Sequence, residues 1–203
     1  MRIEEAMDEI DWIRQSVARA QRFDGIRALP TLGSGLLAIA AAAFQSRWLV
    51  AVDDAAYLQQ YVGLWSLVAG CSLAFVVIDM VMRYHASPTA RQRRMTREVL
   101  NVLTPCLCVG ALLTAGLLRV APGYGWMLPS LWAYCLALGI FATRPMLPFI
   151  ASVCGSYYAA AATVWLLAAP QAMPIAGMGM GILFGGGQCL SAGLLYWHLE
   201  RQE

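Results

Sequence analysis

The feature that most constrains the fold is a series of six apolar runs, which together occupy most of the 203-residue chain. A membrane-spanning helix needs about 20 apolar residues, because each residue advances the helix by about 1.5 Å. The six runs have about this length, at residues 28–44, 61–82, 99–118, 124–143, 146–169 and 174–197. We therefore predict an all-α integral membrane bundle of six transmembrane helices, which form one domain over residues 28–198.

The small number of charges supports a membrane location and helps to identify the first span. Charged residues make up 13% of the chain, whereas soluble domains average about 25%. The first nine residues contain four acids and no apolar stretch, a pattern unlike that of a secretory signal peptide. The run at 28–44 is therefore read as a genuine transmembrane helix.

The arginines predict the orientation of the bundle. The chain contains no lysine, and twelve of its fourteen arginines lie on one side of the predicted topology. Only Arg47 and Arg119 lie on the other side, where the first loop is expected at residues 45–60. Since basic residues concentrate in cytoplasmic loops, we expect a multi-pass protein of the bacterial inner membrane, with residues 1–27 and the tail 199–203 in the cytoplasm.

Two cytoplasmic elements carry patterned charge. Residues 1–27 have apolar positions at alternating spacings of three and four, which predicts an amphipathic helix. A basic patch of Arg91, Arg93, Arg94 and Arg97 lies where the third helix is expected to begin in the cytoplasm. This patch suits anionic lipid of the inner leaflet, an acidic partner or the chain's own acidic residues 4–11. Direct nucleic-acid binding is not expected, because useful affinity requires many phosphate contacts.

Residues 177–193, with the sequence GMGMGILFGGGQCLSAG, hold seven glycines. A dinucleotide-binding fingerprint would need a preceding strand and a glycine where Ile182 stands, and a phosphate-binding P-loop would need a lysine. The run instead has a small residue at every fourth position, namely Gly177, Gly181, Gly185, Cys189 and Gly193. Such rows allow two membrane helices to approach closely, so we expect this face to contact a neighbouring helix, with Ile182 and Phe184 directed elsewhere.

The spacing alone does not show which helix packs against this glycine row. The first span carries the row Ser34, Ala38 and Ala42, and the second span carries the row Ser66, Gly70 and Ala74. These additional rows favour packing within one protomer. A homodimer interface, or a flexible gate or substrate groove, is the alternative use of the glycine face.

Two polar residues inside the spans are candidate functional positions, because polar groups are costly in lipid. Asp79 lies near the cytoplasmic end of the second span and is expected to pair with Arg83 or with interfacial water. Gln188 lies near the middle of the sixth span, where an interhelical hydrogen bond is expected and a ligand contact is the alternative. The spans lack the series of acids or histidines that proton-coupled transport usually requires.

The six cysteines all fall within predicted spans. Thiols are ligands that copper(I) prefers, which makes Cys106, Cys108 and Cys189 the candidate metal ligands. However, Cys106 and Cys108 should occupy different faces of one helix, and the sequence has no CxxC pair. We therefore expect the cysteines to pack as small apolar residues, and we predict no metal and no cofactor.

A segment before the first span carries a family resemblance. Residues 13–25, IRQSVARAQRFDG, place Ile13, Arg14, Val17 and Phe23 in the order IRxx(M/V)xxxxxF. In this the chain resembles a loose group of uncharacterised bacterial polytopic inner-membrane proteins, often encoded beside winged-helix transcription regulators. The resemblance covers about the first fifth of the chain, implies a cytoplasmic regulator as a partner and carries over no catalytic residue.

Together these patterns favour a non-enzymatic sensory or scaffold protein that engages a cytoplasmic regulator or the inner leaflet. One alternative is a small transporter or channel for a neutral or apolar solute. Its path would follow the third span, which Pro105 is expected to kink, together with Gln188 and the glycine row. A second alternative is an intramembrane metal or redox protein that uses the cysteines.

Overall fold

The computed structural model describes residues 27–50, 53–86, 90–145, 147–169 and 175–200. The predicted amphipathic helix at 1–27, apart from its last residue, lies outside the described residues, as do the acidic positions 4–11, the segment that carries the resemblance and most of the tail. The described residues form helices and short connections, with no strand among them.

The described residues form six helices that are each long and apolar enough to cross a membrane. The first five are α1 (Ala28–Trp48), α2 (Asp54–Ala86), α3 (Ala90–Val120), α4 (Leu128–Ala142) and α5 (Pro148–Ala168). A 3₁₀ segment, Pro122–Met127, leads into α4, and α6 extends over residues 177–200. The prediction of an all-α bundle with six membrane-spanning helices is confirmed, and the chain is a multi-pass membrane protein.

The prediction of a loop at residues 45–60 is wrong. Helix α1 continues through Gln45 to Trp48, and α2 already begins at Asp54. An apolar run shows where a helix is hydrophobic, but it does not show where the helical hydrogen bonds end. The run at residues 28–44 therefore predicted an end for the first helix that is too early. Asp53 starts α2 as an N-cap, because its Oδ1 accepts a hydrogen bond of 2.7 Å from the backbone N–H of Ala56.

The helices pack in a spatial order that differs from their order in the chain. The neighbours run α2, α1, α6, α5, α4, α3, so α6 lies between α1 and α5. Helices α2 and α3 are consecutive in the chain, yet they touch each other far less than α4 touches α5. Helix α3 is continuous through Pro105.

The two ends of the bundle differ in charge and in core. We call the end that holds Arg27, Arg97 and Arg144 the arginine-rich end. Its core contains residues of α1, α5 and α6: Ala28, Leu147, Ile150, Ala151, Cys154 and Leu195. The opposite end has a separate core to which α2 contributes Tyr57, Leu58, Tyr61, Trp65 and Val68. Beyond Val68, no described side chain of α2 is fully buried.

Helix α6 changes its geometry along its length. It begins with an α-helical turn at Gly177–Met180, continues as a π-helix at Gly181–Gly186, returns to α-helix at Gly187–Leu195 and ends as a π-helix at Tyr196–Glu200. A π-helix joins each residue to the fifth along the chain and so holds more residues in each turn than an α-helix. This change of pitch determines which residues of α6 face each neighbour.

Candidate functional site

The first three glycines of the predicted row lie against α1. A β-carbon built on Gly177 would overlap the carbonyl oxygen of Ala42, and one built on Gly181 would lie 3.1 Å from the Ala42 β-carbon. A β-carbon on Gly185 would lie 2.5 Å from Ile39 Cγ1. The absence of side chains therefore lets the two backbones approach, as in other small-residue interfaces of membrane helices.

The prediction that Gly193 contacts a neighbouring helix is wrong. This residue is exposed, and no atom lies within 4 Å of a β-carbon built on it. In an α-helix, a row spaced by four residues drifts around the axis by about 40° at each step. The π-helix at Gly181–Gly186 offsets this drift because it holds more residues per turn. After α-helical geometry resumes at Gly187, the row turns away gradually: Cys189 still lies against Gly35 of α1, but Gly193 does not contact it.

The other side chains predicted for α6 are placed as follows. Ile182 is 51% exposed, which directs it outward. Phe184 is half-buried, and its ring centroid lies 6.0 Å from that of Tyr158 in α5.

On α1, Ser34 and Ala38 are buried in the bundle. On α2, by contrast, Ser66, Gly70 and Ala74 are exposed, so this row gives no support to packing within the protomer.

A second glycine face of α6, which the period of four did not reveal, lies against α5. A β-carbon on Gly179 would overlap the Trp165 ring, and β-carbons on Gly186 and Gly187 would overlap Tyr157 and Tyr158. Tyr157 Oη also donates a hydrogen bond of 2.6 Å to the carbonyl of Ile182, inside the π-helix. Glycines on two faces therefore allow α6 to fit between two close neighbours.

Among the described residues, the most extensive buried hydrogen-bond network lies near the opposite end, and we call it the Gln45 cluster. It consists of Gln45, Tyr57, Trp65 and the backbone carbonyl of Ile175. Gln45 is 2% exposed. Its Nε2 donates to the Ile175 carbonyl at 2.7 Å, and its Oε1 accepts from Trp65 Nε1 at 3.0 Å. Tyr57 Oη donates to the same carbonyl at 3.1 Å. The network ties α1 and α2 to Ile175, which lies two residues before α6.

An aromatic stack extends from this cluster towards α3 and α4. The Tyr61 ring stacks on Trp132 with a centroid separation of 6.2 Å and an angle of 12° between the planes. Trp132 Nε1 donates to Thr114 Oγ1 at 2.8 Å. Tyr61 is fully buried, and its hydroxyl has no hydrogen-bond partner within the described part of the chain. Sequence reasoning placed Gln45 in a loop and so missed the whole arrangement.

The two polar residues singled out in the sequence lie apart from this cluster. Asp79 is half-buried on α2, and the side chain of its predicted partner Arg83 is outside the described residues. Gln188 is half-buried beside Gly35 of α1, and over the described residues it forms no side-chain hydrogen bond. The predicted interhelical hydrogen bond is therefore wrong, because α1 presents a glycine without a side chain at this position.

The candidate metal ligands contact different parts of the bundle. Cys106 lies against Gly139 of α4, Cys189 lies against Gly35 of α1, and Cys108 is exposed. Within the described ranges, no three side chains of His, Cys, Asp or Glu come together in a way that could hold a metal ion.

The basic patch belongs to the first turns of α3. Arg97 is exposed, whereas the side chains of Arg91, Arg93 and Arg94 are outside the described residues, although their backbone is helical. The fully buried polar side chains of the described bundle are neutral: Thr31, Ser34, Gln45, Thr114, Ser130 and Thr143. Its interior therefore offers hydrogen bonds and close packing, and the formal charge is at the ends.

Comparisons of the chain with protein-family models, with curated protein sequences and with solved structures find no match.

Proposed function

We propose that this is a non-enzymatic sensory or scaffold protein of the bacterial inner membrane. Its working surface is the basic helical hairpin, which we define as residues 83–86 of α2 and 90–98 of α3. The hairpin would engage an acidic surface on a cytoplasmic regulator. The positive-inside rule supports this orientation, because the hairpin carries five arginines, at positions 83, 91, 93, 94 and 97.

The observation that carries the proposal is the length of α2 and α3. The apolar run of α2 ends at residue 82, but the helix continues to Ala86. The apolar run of α3 begins at residue 99, but the helix already starts at Ala90. At about 1.5 Å per residue, the helices extend about 6 Å and about 14 Å beyond their apolar runs. Because the helices continue beyond their apolar runs, the arginines are attached to a helical backbone.

The way the hairpin is attached suits a sensory role. Helices α1, α6 and α5 are held together through close glycine contacts. Helix α2 joins this core at α1 and, towards the opposite end, also contacts the Pro122–Met127 segment and Trp132. Helix α3 joins the core through α4, and α2 and α3 contact each other only slightly. The part of α2 beyond Val68 buries no described side chain fully, so it can shift relative to the packed core as a rigid element. A change in the membrane or a lipophilic ligand could thereby alter the position of the hairpin.

The test is affinity purification from gently solubilised membranes. The variant carries Arg91→Gln, Arg93→Gln, Arg94→Gln and Arg97→Gln, and the matched control carries Arg47→Gln and Arg119→Gln at the opposite end. We expect wild type and the control to recover a stoichiometric acidic protein that the variant loses. Retention of the same partner by the variant, or recovery of anionic lipid alone, would contradict engagement of a regulator.

The two alternative functions gain no support from the geometry. A solute path along the glycine row is unsupported because α1 fills that face at Gly177, Gly181 and Gly185. The same contacts leave this face unavailable for a homodimer. A metal or redox centre is unsupported because Cys106 and Cys189 pack against different helices.

A further inference from the structure

Two hydrogen-bond donors of α5 face α6 without partners. The Tyr158 hydroxyl and the Trp165 indole N–H are buried, and neither has a hydrogen-bond partner over the described residues. Tyr158 is 1% exposed and lies ten residues from the end of α5, deep within the bundle. A polar group without a partner is costly in a protein interior and more so in a membrane, where bulk water cannot reach it.

Both donors lie beside glycines that flank the π-helix of α6. A β-carbon on Gly187 would lie 2.6 Å from Tyr158 Oη, so the hydroxyl is next to the backbone just after the π-helix. The Trp165 ring lies against Gly179, just before the π-helix. Between these points, the Ile182 carbonyl already accepts a hydrogen bond from Tyr157. Backbone carbonyls of this stretch can therefore serve groups outside their own helix.

We propose that two water molecules bind in the α5–α6 interface, one accepting the Tyr158 hydroxyl proton and the other the Trp165 indole proton. Each water would donate its own hydrogens to nearby α6 carbonyls. Buried waters typically satisfy polar groups of this kind, and they occur where helices of membrane proteins depart from α-geometry. The aromatic rings press closely on Gly179 and Gly187, which favours the smallest hydrogen-bonding ligand over a larger one. These sites are independent of the basic hairpin.

The test compares Tyr158→Phe with Tyr157→Phe in the full-length protein by thermal melting. Tyr157→Phe is the matched control, because it removes a hydroxyl with a known partner, the Ile182 carbonyl. If water binds Tyr158, both variants should melt several degrees below wild type. If Tyr158→Phe melts at or above the wild-type temperature, its hydroxyl has no partner to lose and the proposal is overturned.

A density map of the wild-type protein keeps the proposal testable if Tyr158→Phe does not fold. At a resolution that shows ordered water, a peak is expected at about 2.8 Å from Tyr158 Oη, with a second near Trp165 Nε1. A well-ordered interface without a peak at Tyr158 would overturn the proposal. Neither outcome depends on recovery of a cytoplasmic partner, so failure of the water sites is distinguishable from failure of the proposed function.

Discussion

Gly185 of α6 meets Ile39 of α1 so closely that a β-carbon on Gly185 would lie 2.5 Å from Ile39 Cγ1. Gly181 and Gly177, one and two turns away from Gly185, make similar approaches to Ala42. On the far side of the same helix, Gly186 and Gly187 meet Tyr157 and Tyr158 of α5. A run that could be mistaken for a nucleotide loop therefore packs closely against two neighbouring helices of the membrane bundle.

The first prediction uses the contrast between Gly185 and Gly193. Gly185→Leu should destabilise the bundle by at least about 1–3 kcal/mol, the usual cost of overfilling a packed core. Gly193→Leu is the matched control, because nothing lies within 4 Å of a β-carbon at that position. Thermal melting in detergent should show a large loss for Gly185→Leu and almost none for Gly193→Leu. Equal losses would mean that the two glycines have the same surroundings.

The second prediction concerns the Gln45 cluster. Gln45→Leu removes the acceptor of the Trp65 indole N–H and leaves a buried donor without a partner. We expect a loss of about 1–3 kcal/mol in the free energy of unfolding. Gln188→Leu makes the same chemical change where no side-chain hydrogen bond is present among the described residues, so its melting temperature should change little. Similar melting of the two variants would contradict a structural role for the cluster.

The third prediction tests the orientation of the bundle. Reporter proteins fused after Glu203 in a bacterial host should show a cytoplasmic carboxyl terminus, because the arginine-rich end is expected on the inner side. A green fluorescent protein should fluoresce there, and alkaline phosphatase should be inactive. Active phosphatase together with a dark fluorescent protein would place the basic hairpin outside the cytoplasm and remove the basis of the proposed function.

The fourth prediction concerns metal content. Elemental analysis of the purified protein should find no copper that depends on Cys106, Cys108 or Cys189, because these thiols face different surroundings. The comparison is between wild type and a variant with serine at all three positions. Stoichiometric copper in the wild type that disappears in the variant would contradict this packing and revive the metal hypothesis.

Apolar runs were sufficient to predict the six spans, because the length of each run matches the thickness of a bilayer. The small-residue period also identified the face of α6 that holds Gly177, Gly181 and Gly185. Both features depend on local sequence alone. The same reasoning missed Gly179, Gly186 and Gly187, because their neighbours are aromatic residues of α5 and nothing local in α6 reveals them.

Two further features depended on contacts between distant parts of the chain. Gln45 was assigned to a loop because polar residues interrupt the apolar run, yet its partners Trp65 and Ile175 lie 20 and 130 residues away. The π-helix at Gly181–Gly186 is a change of pitch that the sequence pattern did not indicate. It explains why the row faces α1 at Gly185 but not at Gly193.

The packing of α6 on α1 can be tested directly by disulfide formation in a variant whose six native cysteines are replaced by alanine. Cysteines would be introduced as Ala42→Cys with Gly181→Cys, where a β-carbon built on Gly181 would lie 3.1 Å from that of Ala42, so a small displacement gives the separation of about 3.5–4.5 Å that a disulfide requires. The control pair is Ala42→Cys with Gly193→Cys. Rapid oxidation of the first pair within one chain, with none in the control, is the expected result. No cross-link in the first pair, or equal cross-linking in both, would contradict the glycine-mediated contact between α1 and α6.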